Sequence, residues 1–184
     1  QAFAPLIKSL RVATLSACMS LAIAIPGAYA ISRFPRRWQY PAIMMLFTTR
    51  MFPEVSIALP VSIFFIKHNL IDSVFGLACA HVIRVVPIAA WILIGVFNTI
   101  PRDLEEQAIV DGAGRLRVLG SIVLPLSLGG LSAAAIFSWL FSWDEFTYAL
   151  YLCLAEPTLP LKVYYYINRG NWFSTATYAT IITI

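Results

Sequence analysis

The chain has 184 residues, 60% of them hydrophobic and 14% aromatic, with 13 Lys or Arg against 9 Asp or Glu. Charged residues make up 12%, about half the ~25% of soluble domains, and the mean hydropathy of +0.79 is more apolar surface than a soluble fold of this size can hide. These figures point to a membrane protein in a lipid bilayer and exclude a disordered chain, a disulfide scaffold and, since the basic residues are scattered rather than striped, nucleic-acid binding.

Charges are spaced like span boundaries. Arg11 and Arg33 are separated by 21 uncharged residues, Arg84 and Arg102 by 17, and Arg117 and Asp144 by 26, against the roughly 20 apolar residues of a spanning helix. The first helix is expected over residues 10–32, bent at Pro26-Gly27, with Ser16, Ser20, Ala24 and Ala28 as a small-residue stripe that lets another helix come close. A short basic loop at 33–39 follows. The second helix, 40–66, carries Pro53 and Pro60, which kink it or divide it in two. Arg50 and Glu54, four apart, share a face and pair there, as a structural ion pair or as the lining of a polar path. After a loop at 67–72, a third helix covers 73–100 with Arg84 and Pro87 inside it. A fourth covers 122–146 with Pro125 in its first turn. A loop at 151–171 holds Tyr164, Tyr165 and Tyr166, and a fifth helix begins near Trp172.

Cys18, Cys79 and Cys153 are far apart and read as buried, inert thiols, while His68 and His81 are too isolated for a metal site. The chain begins without Met, and its last uncharged run, 170–184, has 15 residues, too few to span. The expectation is a piece of a larger membrane protein, truncated at both ends. Parity places loops 33–39 and 101–121 on one side with six basic residues (Arg33, Arg36, Arg37, Arg102, Arg115, Arg117), against five on the other (Lys8, Arg11, Lys67, Lys162, Arg169). That balance slightly favours the first side as cytoplasmic, with loops 67–72 and 151–171 outside.

The informative stretch is 100–125, IPRDLEEQAIVDGAGRLRVLGSIVLP. Pro101 and Asp103 suit a helix start, with Glu105 and Glu106 in its first turn. Ile100, Leu104 and Ala108 fall on one face at intervals of four. Asp111-Gly112 stops this helix, glycine being free to turn left-handed. A second amphipathic turn sets Leu116, Leu119 and Val123 on one face. Two readings stand open at this point: an interfacial helix packed on its own protein, or a docking element for a cytosolic partner.

The same stretch resembles the cytoplasmic EAA loop of permease subunits of binding-protein-dependent ABC importers. That pattern is Glu-Ala-Ala, three residues, Gly, nine residues, then Ile-x-Leu-Pro. Here Glu106, Gln107 and Ala108 stand for the first triplet, Gly112 for the glycine, and Ile122 to Pro125 for the closing motif, with Gln107 the one departure. The flanks resemble the maltose-type sugar branch: Ile100-Pro101, Asp111-Gly112-Ala113, the Lys8-Ser9-Leu10 start, and Trp143-Asp144-Glu145-Phe146, where that branch often has Asn in place of Asp144.

The resemblance implies an all-α polytopic membrane protein, with about five transmembrane helices of a six-helix permease forming one domain over 1–184 and a cytoplasmic coupling helix in loop 101–121. It implies no enzymatic chemistry and no cofactor or metal of its own, with ATP bound by partner ATPase subunits. The sequence agrees, since Lys8, Lys67 and Lys162 are its only lysines and none follows a glycine as a phosphate-binding loop requires. The implied partners are the ATPases, a second and different permease subunit, and an extracellular or periplasmic solute-binding protein, in the inner membrane of a prokaryote. The implied ATPase-docking residues are Leu104, Glu105, Glu106, Gln107, Ala108, Ile109, Asp111 and Gly112. Ser138, Trp139, Ser142, Asp144 and Glu145 offer aromatic faces and polar acceptors to a sugar or related solute along its path. The alternatives are a carrier driven by an ion gradient, using Arg50, Glu54, Arg84, Asp144 and Glu145 as relay groups, and a structural anchor, for which polar residues inside helices have no purpose.

Overall fold

The computed structural model describes residues 3–183. The first helix, α1 (Phe3–Ser32), runs 30 residues without a break at Pro26. It starts a full seven residues before the expected boundary, because Lys8 and Arg11 do not mark a membrane edge. Lys8 is buried, and its ammonium donates to the Glu156 carbonyl at 2.5 Å and the Asp72 carbonyl at 3.3 Å. A lysine whose charge is answered by loop carbonyls can sit inside an otherwise apolar helix.

The expected second helix is two, α2 (Arg36–Thr48) and α3 (Glu54–Lys67). Pro53 ends the run: it lacks an N–H and pushes Phe52 away from helical torsions. Thr48 and Thr49 donate their hydroxyls back to the Met44 and Leu46 carbonyls, so the broken end keeps its acceptors partnered. Pro60 sits inside α3 without dividing it. The long apolar helix α4 (Val74–Asn98) is capped by Ser73, whose hydroxyl accepts from the Gly76 N–H at 2.9 Å.

The chain then makes a short surface helix, α5 (Arg102–Val110). Next come α6 (Arg115–Val118), a π turn at Leu119–Val123 and α7 (Leu124–Leu126), followed by α8 (Leu128–Trp143). The expected fourth helix, 122–146, is corrected here. Arg115–Leu126 and Leu128–Trp143 meet at 86°, so Pro125 belongs near the end of the first piece rather than to the start of a span. The Leu124 N–H reaches back five residues to the Leu119 carbonyl, a widening that fits the chain to the proline. The Ser127 hydroxyl then takes the Val123 carbonyl at 2.7 Å. Three helices complete the described chain: α9 (Thr147–Leu152), α10 (Leu159–Asn168) and α11 (Trp172–Thr183). Tyr164, Tyr165 and Tyr166 are therefore helical, not loop, because the Ser9 hydroxyl receives the Leu159 N–H and anchors the start of α10.

The helices α1, α4 and α8 pack against one another. Ser16, Ser20, Ala24 and Ala28 are all buried, as their small-residue spacing requires, and Ala89, Ala90, Leu93 and Ala134 fill the layer around Ala24 and Ala28. Gly130 of α8 lies hard against Val96 of α4, where a β-carbon would fall 2.3 Å from Cγ2. A second cluster joins α3, the first half of α4 and α9 through Ala58, Phe65, Leu77, Tyr148 and Leu152. Of the three thiols only Cys153 is buried; Cys18 is exposed on the outer face of α1 and Cys79 is half-buried, which corrects the expectation for those two. Among the described residues, α1 and α4 are each long and apolar enough to cross a membrane, and the bent Arg115–Leu126 and Leu128–Trp143 pair makes a third if counted as one span.

Candidate functional site

The segment at 101–121 lies at the end of the bundle where α1 and α4 finish. Pro101 caps α5 from an extended backbone, and Asp103 and Glu105 sit in its first turn, where the helix dipole favours acids. Its far end is a Schellman turn. The Gly112 N–H bonds the Ile109 carbonyl at 3.0 Å and the Ala113 N–H bonds the Ala108 carbonyl at 2.9 Å, with Gly112 at φ +90°.

Leu104, Glu106, Gln107, Ile109 and Asp111 are exposed, Leu104 and Ile109 at 41% and 45%. Ala108 is half-buried and packs with Ala113 on the inner core. Two expectations are corrected. Ile100 is buried but Leu104 is not, since Pro101 separates Ile100 from the helix and breaks the interval of four. In the next turn Val118 points inward with Leu119 and Val123, while Leu116 is exposed. The result is an outward edge of carboxylates and aliphatic side chains on a short, rigidly ended helix.

Glu105 does not belong to that edge. It is only 5% exposed, and it faces the chain itself. Its Oε2 accepts from the Tyr29 hydroxyl at 2.8 Å and from Arg33 Nε at 3.1 Å, and Arg33 Nη2 closes a second contact on Oε1. The resemblance implies Glu105 among the docking residues as the neighbour of the motif's Glu106, and spacing alone does not show that it turns inward.

The polar residues within the bundle form a second centre. His81 Nδ1 lies 2.7 Å from the Ser142 hydroxyl and His81 Nε2 lies 3.3 Å from Glu145 Oε2. Arg84 Nη1 reaches Glu145 Oε1 at 3.5 Å and Glu54 Oε2 at 3.2 Å. The Glu145 carboxylate also accepts from the Tyr148 N–H at 3.0 Å and caps α9. The expected Arg50–Glu54 pair is not made. The break at Pro53 takes the two off a common helix face, so Glu54 pairs with Arg84 while Arg50 donates to the Arg84 carbonyl at 2.6 Å. His81, isolated in the sequence, joins this cluster through the fold; its position one turn before Arg84 on α4 is the one sequence signal for it.

The five α8-side residues expected along a solute path do not share one opening. Ser138, Ser142 and Glu145 are buried in the chain's own contacts, Ser138 donating to the Ala134 carbonyl at 2.7 Å. Trp139 stacks on Trp143 with centroids 4.9 Å apart, and donates to the Thr14 hydroxyl across an apolar groove between α1 and α8. Asp144 is exposed. The open edge of the charged cluster lies instead at Glu54 and Arg84, whose side chains are 37% and 24% exposed beside the unwound residues 49–53. Among the described residues, no three His, Cys, Asp or Glu side chains are grouped as metal ligands.

The described residues form an all-helical bundle with two or three helices able to cross a membrane, and the short helix α5 lies at one end of it. Over residues 20–184 the chain matches, and belongs to, the family described as the binding-protein-dependent transport system inner membrane component. It is a prokaryotic membrane transport component, and its similarities fall in the maltose-type branch.

A putative ABC transporter permease protein ORF1 of Streptomyces antibioticus is 38% identical over 88% of this chain and 72% of its own. The trehalose/maltose transport system permease protein MalG of Thermococcus litoralis is 31% identical over 77% of this chain and 51% of its own. The sulfoquinovosyl glycerol transport system permease protein SmoH of Agrobacterium fabrum is 31% identical over 79% and 51%. The chain thus spans about half the length of the last two. The fold is also that of a bacterial ABC transporter involved in the import of the acidic polysaccharide alginate, with TM-score 0.70 and 23% identity over 87% of this chain and 56% of that one.

Proposed function

We propose that the chain is the membrane-embedded permease part of an ABC importer. It passes a sugar or related solute, handed over by an extracellular or periplasmic binding protein, and ATP is bound and hydrolysed by separate subunits. The observation that carries the reading is α5, a helix closed by a left-handed glycine turn with Leu104, Glu106, Gln107 and Ile109 exposed on its outward edge. Such an edge fits a basic cleft on an ATPase subunit. Glu106 meets cationic groups at the rim, Leu104 and Ile109 anchor, Ala108 permits close approach, and Asp111-Gly112 ends the helix. Closure of the ATPases then moves the membrane helices as rigid bodies and switches the cavity between the two sides.

In this reading loop 101–121 is cytoplasmic and the chain makes five passes: α1, the broken α2–α3, α4, the bent segment that follows the loop and ends at Trp143, and the helix entered at Trp172. The solute path runs past Arg50, Glu54 and Arg84, since a broken helix and a half-exposed ion pair at membrane depth are tolerated only against protein or water. A second, different permease subunit closes the path from the other side. Support for a sugar comes from relatives named for sulfoquinovosyl glycerol and trehalose/maltose transport.

The test is Glu106→Ala in the assembled transporter, read by co-purification of the ATPase subunits and by ATP-dependent uptake into proteoliposomes. Removing an interface carboxylate that meets a cation costs about 2–5 kcal/mol, so both should fall. Wild-type association together with wild-type uptake would remove the docking role.

A further inference from the structure

Glu105 has no part in an outward docking edge, and its surroundings give it another task. One guanidinium, that of Arg33, holds three elements together. It grips both oxygens of Glu105 on α5, follows directly on the end of α1, and donates from Nη1 to the Phe97 carbonyl at 3.0 Å, in the last turn of α4. Tyr29, one turn back on α1, completes the set by donating to Glu105 Oε2 at 2.8 Å. The rest of this junction is polar as well: the Gln39 amide of α2 donates to the Ser32 carbonyl at 2.9 Å and the Phe34 carbonyl at 3.0 Å, and Asn98 donates to Gln39 Oε1 at 3.2 Å.

We propose that Glu105 is a positioning residue, the joint through which movement of α5 is passed to the membrane helices α1 and α4. This rests on the docking role of α5 given above. An apolar contact lets two helices slide or rotate on each other. A carboxylate gripped at both oxygens by a planar guanidinium resists both motions, because the paired hydrogen bonds fix direction as well as distance. The contact is also shielded from water, where removing one partner strands a charge. Glu106 and Glu105, adjacent in sequence, thus divide the work: one faces the partner, the other faces the bundle.

The experiment compares Glu105→Gln, Arg33→Lys and Tyr29→Phe with wild type in the assembled transporter in proteoliposomes. Three readouts are taken: ATPase subunits co-purified, ATP turnover, and solute imported per ATP hydrolysed. Glu105→Gln keeps the shape of the side chain and loses its charge. It should retain the ATPase complement and ATP turnover while solute per ATP falls about tenfold, the scale of one charge-assisted contact. Arg33→Lys, which cannot grip both oxygens, should behave alike. Tyr29→Phe removes one hydroxyl from an intact ring, keeps the fold, and should lower the ratio by a smaller factor, which holds the test open if the charge variants fail to accumulate.

An unchanged ratio in Tyr29→Phe and in whichever charge variant accumulates overturns the joint. Loss of the ATPase subunits from Glu105→Gln also overturns it and returns Glu105 to the docking edge. Failure of the docking reading itself is distinct, because it appears as unaltered ATPase association in Glu106→Ala.

Discussion

Gly112 is a position where the backbone torsion can be tested with little steric interference from its own chain. It sits at φ +90°, and a β-carbon built there meets nothing within 4 Å. An alanine β-carbon therefore meets no clash within the chain, and its cost is the torsion the turn demands. Asparagine tolerates the left-handed region, alanine pays about 1–2 kcal/mol, and a β-branched residue approaches the ~3 kcal/mol limit for a strained position. The two bonds that depend on this torsion are those from Gly112 to Ile109 and from Ala113 to Ala108, so the strain falls on the last turn of α5. If the turn must be formed when an ATPase subunit docks, association should weaken by little for Gly112→Asn, by roughly 5- to 30-fold for Gly112→Ala, and by up to about 150-fold for Gly112→Val. Titration of labelled ATPase subunits onto the permease in nanodiscs gives the series directly. Equal affinities for all three, or a loss in Asn as large as in Val, would refute the torsional account.

Three further outcomes follow from the packing. Gly130→Ala should lower the thermal midpoint in detergent by a cost of about 1–3 kcal/mol, because its β-carbon falls 2.3 Å from Val96 Cγ2 and 2.9 Å from Val96 Cβ, and Val96→Ala in the same chain should recover only the part due to the γ-methyls; an unshifted midpoint would mean α4 and α8 part freely. Glu145→Ala should cost about 3–5 kcal/mol and sharply reduce accumulation in the membrane, since it strips the acid from His81 and Arg84 and the cap from α9, whereas Asp144→Ala at the exposed neighbour should stay within about 0.5 kcal/mol of wild type; equal effects would contradict the assigned burial. A single cysteine at Arg115 should react with an impermeant thiol reagent only from the cytoplasmic side and one at Leu154 only from outside, in a chain whose native thiols are replaced by serine or alanine; labelling of Arg115→Cys in intact cells would invert the topology.

Much was legible in the residues themselves. The uncharged runs located α1, α4 and the start of α11, because crossing a bilayer depends on local length and hydropathy. The spacing from Glu106 through Gly112 to Pro125 placed the surface helix, its stop and its family before any contact was known. The stripe Ser16-Ser20-Ala24-Ala28 named the face of α1 that packs, since periodicity of four is a property of one helix.

What only the tertiary structure decided was the fate of each charge and each proline. Lys8 lies inside a helix because carbonyls from 72 and 156 reach it. Pro53 divides a helix and Pro60 does not. Arg50 loses Glu54 to Arg84, His81 finds Glu145, and Glu105 turns inward while Glu106 stays out. An ionised group inside a bundle is stable only where a partner of opposite charge or a carbonyl lies within hydrogen-bond reach, and for Lys8, Arg33 and Arg84 those partners lie 30 to 148 residues away. No window of sequence contains that distance; the packing of α1 on α4 and α8 sets it.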